Sequence, residues 1–199
     1  HRPYREGGSL MDIRAVVFEA RSYTPIPLLL AVLILAEPTG LSFLLGGAMA
    51  VLGESIRLWS VGYAGSATRT RHVGAPTLIT TGPYAHVRNP IYVGNFVLSL
   101  GLCVMAWAWM PYMLVVFILA FGIQYAMIVS LEEEHLQETF GDEYTRFLAG
   151  VPRFFPRPRT YAHAAGPPFD LRAALKSDRR TFQSMTAVTL AIVARWYFG

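Results

Sequence analysis

Between Arg88 and Glu132 the chain carries no charged side chain. The stretch holds two apolar runs, Ile91 to Trp107 and Pro111 to about Ser130, with almost no loop between them. Trp107, Trp109 and Tyr112 flank the turn, as aromatic residues do where hydrocarbon meets water. A membrane-crossing helix takes ~20 predominantly apolar residues, and each run approaches that length. A polar, basic segment leads into this hairpin, and Glu132-Glu133-Glu134-His135 follows it. Groups of opposite charge therefore leave the pair of helices on one side of a bilayer.

The rest of the chain has the same character. It is 53% hydrophobic and 15% charged over 199 residues, with a mean hydropathy of +0.37; soluble domains carry about a quarter charged residues. The expected fold is all-α, a polytopic integral membrane helical bundle with about five apolar helices. A soluble helical bundle is the competing reading, and the length of the apolar blocks argues against it. Residues 1–24 form an N-terminal segment, whose part from 11 onward suits an interfacial helix, with Arg14 and Arg21 available to headgroups. Residues 25–158 form the core. Its first span, Ile26 to Ala36, is short; its second, Leu41 to Tyr63, carries Gly46, Gly47, Ala48, Ala50 and Gly53, small residues that let helices approach closely. Glu54 and Arg57 stand one turn apart on it, as a structural ion pair or beside a ligand. Residues 159–199 add a basic loop with a short helix, then an apolar segment from Thr181 to Phe198 that either spans or lies in the interface.

Basic residues concentrate in the N-terminus, in 64–89 (Arg69, Arg71, His72, His86, Arg88) and in 131–180, whereas the turns at 37–40 and 108–110 carry none. That asymmetry places the basic segments in the cytoplasm. It also explains the formal charge of +4 as contact with an anionic leaflet, and no nucleic-acid motif accompanies it. Cys103 is the single cysteine, which excludes an intrachain disulfide. No secretory leader is expected. His72, His86 and His135 lack metal-ligand spacing, so no metal is expected. Neither a phosphate-cradling glycine loop nor a G-x-S-x-G elbow is present.

The chemistry-bearing residues sit at the ends of the charge-free hairpin. His86 and Arg88 precede the Pro90 helix start, a place suited to an anion or to lipid phosphate. Glu132 and Glu133 follow the second apolar run, either as binding carboxylates or as a solvated acidic face. Neighbouring helical residues point about 100° apart, so the three glutamates do not share one pocket. Glu133 is the favoured member, with Glu132 second.

The block Gly82-Pro83-Tyr84-Ala85-His86-Val87-Arg88-Asn89-Pro90-Ile91-Tyr92-Val93-Gly94 resembles the isoprenylcysteine carboxyl methyltransferase family and related membrane phospholipid methyltransferases. Glu132-Glu133, Leu136, Phe140-Gly141, Glu143-Tyr144, Phe147 and Val151-Pro152-Arg153 resemble that family's C-terminal signature. The likeness runs over about residues 41–158, with Asn89 standing where the family often has histidine. It implies S-adenosyl-L-methionine as cofactor, held in a cytoplasmic pocket built from the pre-helix loop and the C-terminal segment. Arg88, Glu133 and Glu132 would be catalytic. His86, Arg88, Asn89, Tyr92, Gly94, Glu133, Tyr144 and Arg153 would bind the cofactor. The implied partners are the lipid bilayer and a lipid-like small acceptor, such as an isoprenylated cysteine carboxylate. A phospholipid amine or a small thiol are alternative acceptors, and for those His135 or Glu133 are candidate bases. A non-catalytic membrane binding protein and a membrane reductase are the readings from other classes. Two further expectations concern variants and access. Arg88→Ala and Glu133→Ala should weaken turnover more than stability, and an acceptor tail should enter between spans, near Gly94 or the glycine-rich second span.

Overall fold

The helix that the glycines predict starts on a closed cap. Thr39 Oγ1 accepts from the Ser42 amide at 3.1 Å, and Ser42 Oγ accepts from the Thr39 amide at 2.9 Å. Each donor would otherwise be left unpaired at a helix N-terminus. Thr39→Ala should lower stability by about 1 kcal/mol, read by thermal unfolding in detergent. The computed structural model describes residues 13–21, 23–65 and 77–199. Residues 1–12, 22 and 66–76, with Arg69, Arg71 and His72 among them, lie outside the described residues.

Seven α-helices are described: α1 (Ile13–Ala20), α2 (Ile26–Ile34), α3 (Gly40–Ala64), α4 (Pro90–Ala106), α5 (Tyr112–Phe140), α6 (Asp142–Gly150) and α7 (Leu171–Phe198). The centre of the fold is the antiparallel pair α3 and α4. Gly46 opposes Gly101, and Gly53 opposes Gly94, with Ala50 between them. A Cβ on Gly101 would come within 2.7 Å of the Gly46 carbonyl oxygen, and one on Gly94 within 2.9 Å of that of Gly53. The backbones therefore touch at two levels seven residues apart on each helix. This is the close approach that small residues permit. It also fills the place where an acceptor tail was expected to enter, since Gly94 faces Gly53 and the Arg57 side chain.

A tight turn at 107–111 leads into α5, which runs unbroken from the apolar run through the acidic cluster to Phe140. Gly141, at φ +50°, breaks the helix, and α6 follows at once. Phe96 of α4 packs on Phe117 and Phe121 of α5, and Phe121 stacks on Tyr125 at 4.1 Å between ring centroids. The outer faces of α5 present Val115, Val116, Ile118, Leu119 and Ile123. Only 17% of its most apolar window is buried inside the molecule. A helix apolar on all sides and mostly uncovered is suited to hydrocarbon, not to water.

Among the described residues two helices, α3 and α5, are long and apolar enough to cross a membrane, so the protein is membrane-embedded and all-α. The expected count of about five is not met by this measure. α2 has nine residues, and at 1.5 Å per residue it covers roughly half a bilayer core. α4 has 17 residues. α7 merges the expected short basic helix with the apolar segment into one helix of 28 residues. No glycine or proline interrupts it, and Asp170 Oδ1 caps it by accepting from the Ala173 amide at 3.0 Å.

Between α6 and α7 the chain is extended and proline-rich, and it runs antiparallel to the segment before α4. The amide of Thr80 donates to the Ala165 carbonyl at 2.9 Å, that of Tyr161 to Ala85 at 3.0 Å, that of Arg157 to His86 at 3.1 Å, and that of Arg88 to Pro152 at 2.9 Å. Leu78, Tyr144, Phe147 and Val151 form a small apolar core beneath this strap, separate from the larger one among the apolar helices.

Candidate functional site

Pro90 occupies the first turn of α4, where a missing amide hydrogen removes no helical bond. Asn89 holds the N-cap position, yet its side chain makes no cap bond. Instead Asn89 Nδ2 donates to Glu133 Oε1 at 3.2 Å and to the Arg153 carbonyl at 3.3 Å. Arg88, one residue earlier, reaches the same carboxylate with Nε at 3.0 Å. Its Nη1 donates to the carbonyls of Val151 at 2.6 Å and Leu148 at 3.2 Å. Arg153 closes the other side by pairing with Glu133 Oε2.

Glu133 is thus the hub of a node that joins the loop before α4, the end of α5 and the segment after α6. Its side chain is 8% exposed and that of Arg88 12%. A charged pair this deep is tolerated because every oxygen of the carboxylate meets a donor. Asn89, in place of a histidine, supplies one of those donors without adding a titratable group.

The three consecutive glutamates do diverge. Glu132 Oε1 accepts from the Tyr92 hydroxyl on α4 at 2.7 Å. Glu134 turns outward and pairs with Arg14 of α1 at 3.0 Å, a half-exposed contact that contributes little to stability. Tyr92 meets Tyr125 edge-on at 4.8 Å between centroids, which walls Glu132 with aromatic surface. Tyr92→Phe should leave the fold intact, lower stability by about 1 kcal/mol and weaken ligand binding beside Glu132, measured by calorimetric titration.

The remaining expected site residues are placed as follows. His86 lies in the turn after the 3-10 segment Gly82–Ala85, and its Nδ1 donates to the Arg157 carbonyl at 2.9 Å, so it pins the strap. Tyr144 sits in the small core beneath the node. Burial and then the charge of Glu133 push its phenol well above the ordinary range, and the same holds for Tyr84, through burial and then Glu132. Both stay neutral. Gly94 stands apart from the node and belongs to the α3–α4 contact. His135 does not join the node either; its carbonyl accepts from Thr139. Among the described residues no group of three or more His, Cys, Asp or Glu side chains gathers to hold a metal.

Sequence reasoning missed the strap partners Thr80, Arg157 and Ala165, whose contacts are largely backbone. The spaced prolines 152, 156 and 158 were the available sign of an extended segment. It also missed Asp178, which joins the expected Glu54–Arg57 pair. Arg57 Nε lies 3.4 Å from Glu54 Oε2, and Arg57 Nη2 pairs with Asp178 Oδ1.

This architecture, long apolar helices with a charged node at the end of one helix pair, defines a membrane-embedded protein. Residues 41–143 match the phospholipid methyltransferase family, and the chain belongs to it. Among proteins it is similar to, the nickel-cobalt-cadmium resistance protein NccN of Alcaligenes xylosoxydans xylosoxydans is 34% identical over 114 residues, 57% of this chain and 48% of that protein. The cobalt-zinc-cadmium resistance protein CzcN of Cupriavidus metallidurans is 32% identical over 118 residues, 59% of this chain and 49% of that protein. The protein-S-isoprenylcysteine O-methyltransferase of Schizosaccharomyces pombe is 34% identical over 79 residues, 40% of this chain and 33% of that protein. The chain spans about half the length or less of these curated relatives. No solved structure matches it.

Proposed function

We propose that this chain is an S-adenosyl-L-methionine-dependent methyltransferase acting at the membrane surface on a lipid-like acceptor. An isoprenylated cysteine carboxylate is the favoured acceptor, after the fission-yeast relative. The observation that carries the reading is the Glu133 node. It ties Arg88 and Asn89 of the first motif block to Arg153 of the second across the end of the helical hairpin.

The residues present fit such a donor. Glu132 keeps one carboxylate oxygen on Tyr92 and has a second with which to attract a cation. Arg153, 42% exposed at its side chain, is the guanidinium open to a carboxylate. His86 and Arg88 brace the surrounding loop, and Tyr92 and Tyr144 keep water from its floor. The donor, when bound, supplies an electrophilic methyl on a positively charged sulfur. The chain's own task is alignment and exclusion of water. A carboxylate acceptor asks for no strong base, so the absence of a histidine at Asn89 is no obstacle.

The reading extends to topology. α3, α4 with its following turn, and α5 cross the bilayer, α7 lies alongside them, and α1 and α2 together carry the chain from the Glu134 end, where Arg14 pairs, to the opposite end, where Glu37 meets Ala106. The node then faces the cytoplasm, where the basic segments gather.

Titration of the purified full chain with S-adenosyl-L-methionine tests the reading, followed by labelled methyl transfer to N-acetyl-S-farnesylcysteine, phosphatidylethanolamine and a small thiol. Saturable donor binding and transfer to the prenylated acid are expected. Folded protein that ignores this donor, or that binds a reduced nicotinamide in its place, would overturn it.

A further inference from the structure

Asp178 is 1% exposed, among the most buried side chains in the molecule, yet it lies on α7, beyond the stretch that matches the family. It sits in a polar cluster among apolar helices. Its Oδ1 accepts from Arg57 Nη2 on α3. Thr181, one turn on, links the two: its Oγ1 accepts from Arg57 Nη2 at 3.0 Å and donates to Asp178 Oδ1 at 3.1 Å. An apolar contact would join α7 to α3 with less desolvation. What the charged pair adds is direction.

That direction continues past Arg57. Its Nη1 donates to the side-chain oxygen of Asn95 on α4. With the oxygen held there, the amide turns its nitrogen away, and Nδ2 donates to the Tyr125 hydroxyl on α5 at 3.3 Å. The flipped amide would set its own donors against the guanidinium, so one orientation is enforced. Tyr125 is held flat on Phe121 and edge-on to Tyr92. Tyr92 in turn donates to Glu132. The series crosses from α7 through α3, α4 and α5 to the residue beside the Glu133 hub.

We propose that Asp178 is a positioning residue for the candidate site: through Arg57, Asn95 and Tyr125 it holds Tyr92, and so keeps the Glu132 carboxylate aimed at the cationic donor. α7 is then part of the site and not only a further membrane contact. The inference rests on the methyltransferase reading.

S-adenosylmethionine and S-adenosylhomocysteine differ by one methyl group and by the positive charge on sulfur. A well-aimed Glu132 favours the charged ligand, whereas a helix-packing role for Asp178 has no bearing on that preference. The experiment measures Kd for both ligands on the full chain as wild type, Asp178→Asn, Tyr125→Phe and the double variant. The wild type should prefer the sulfonium. Each single variant should reduce the ratio of the two affinities roughly fivefold, and the double variant no further than the larger single effect, because members of one chain of contacts are non-additive. Tyr125→Phe keeps the ring stack and carries the test if Asp178→Asn fails to fold. A wild type without preference, an unchanged ratio in folded Tyr125→Phe, or additive losses in the double variant would overturn the proposal and leave the proposed function standing. A wild type that binds neither ligand would remove the proposed function, and this inference with it.

Discussion

Glu133→Ala should unfold well below the wild type and lose donor binding together. The substitution strips the anion from Arg88, whose side chain is 12% exposed, and from Arg153 and Asn89 at once. Breaking a buried pair by removing one partner costs about 3 kcal/mol or more, because a charge is left behind in a poor solvent for it. Arg88→Ala should be comparably severe, since it also abandons the carbonyls of Leu148 and Val151. The sequence suggests that both variants lose turnover before stability. The geometry leads us to expect a stability loss as well, since these residues also hold α4, α5 and the C-terminal segment together. Thermal unfolding and calorimetric titration on the same samples read both effects. Wild-type stability in either variant would mean that the node is not formed in the protein.

Gly53→Leu should be as damaging by a different route. A Cβ at Gly53 would strike the Leu98 backbone and come within 2.8 Å of the Gly94 carbonyl oxygen. Backbone has no rotamer to retreat into, so the helices must separate, and the loss should be about 3 kcal/mol. Arg57 and Asn95 would move apart with them, so damage should reach the site as well. Gly122→Ala on α5 is the matched control. Nothing lies within 4 Å of its Cβ position, and the exchange should change stability by less than about 1 kcal/mol. Melting temperatures of the two variants in the same detergent decide the matter.

What the sequence made legible follows from how local each signal is. α3, α4 and the apolar part of α5 were readable because their apolar runs and the Pro90 start act within a few residues. The charge-free hairpin placed Arg88 and Glu133 at one end of a helix pair, and the resemblance assigned both to one site, although 45 residues separate them. The antiparallel strap was not, because backbone hydrogen bonds leave little trace in side-chain identity. The Arg57–Asp178 contact joins residues 121 apart, and nothing near Asp178 distinguishes it from its solvated neighbours on a basic helix. Gly94 shows the opposite difficulty. A glycine in a motif invites a ligand-side reading, and here the demand on it is contact with another backbone. α2 fell short of a span because its apolar composition promised length that the turn at Leu35 cuts off.

The most direct measurement is a calorimetric titration of the purified full chain with S-adenosyl-L-methionine, wild type against Glu133→Gln, at a temperature where circular dichroism finds both folded. The node account predicts saturable binding by the wild type and affinity at least about tenfold weaker in the variant, the loss of one charge-assisted contact set. Equal affinity in the two folded proteins, or no binding by the wild type, would contradict it.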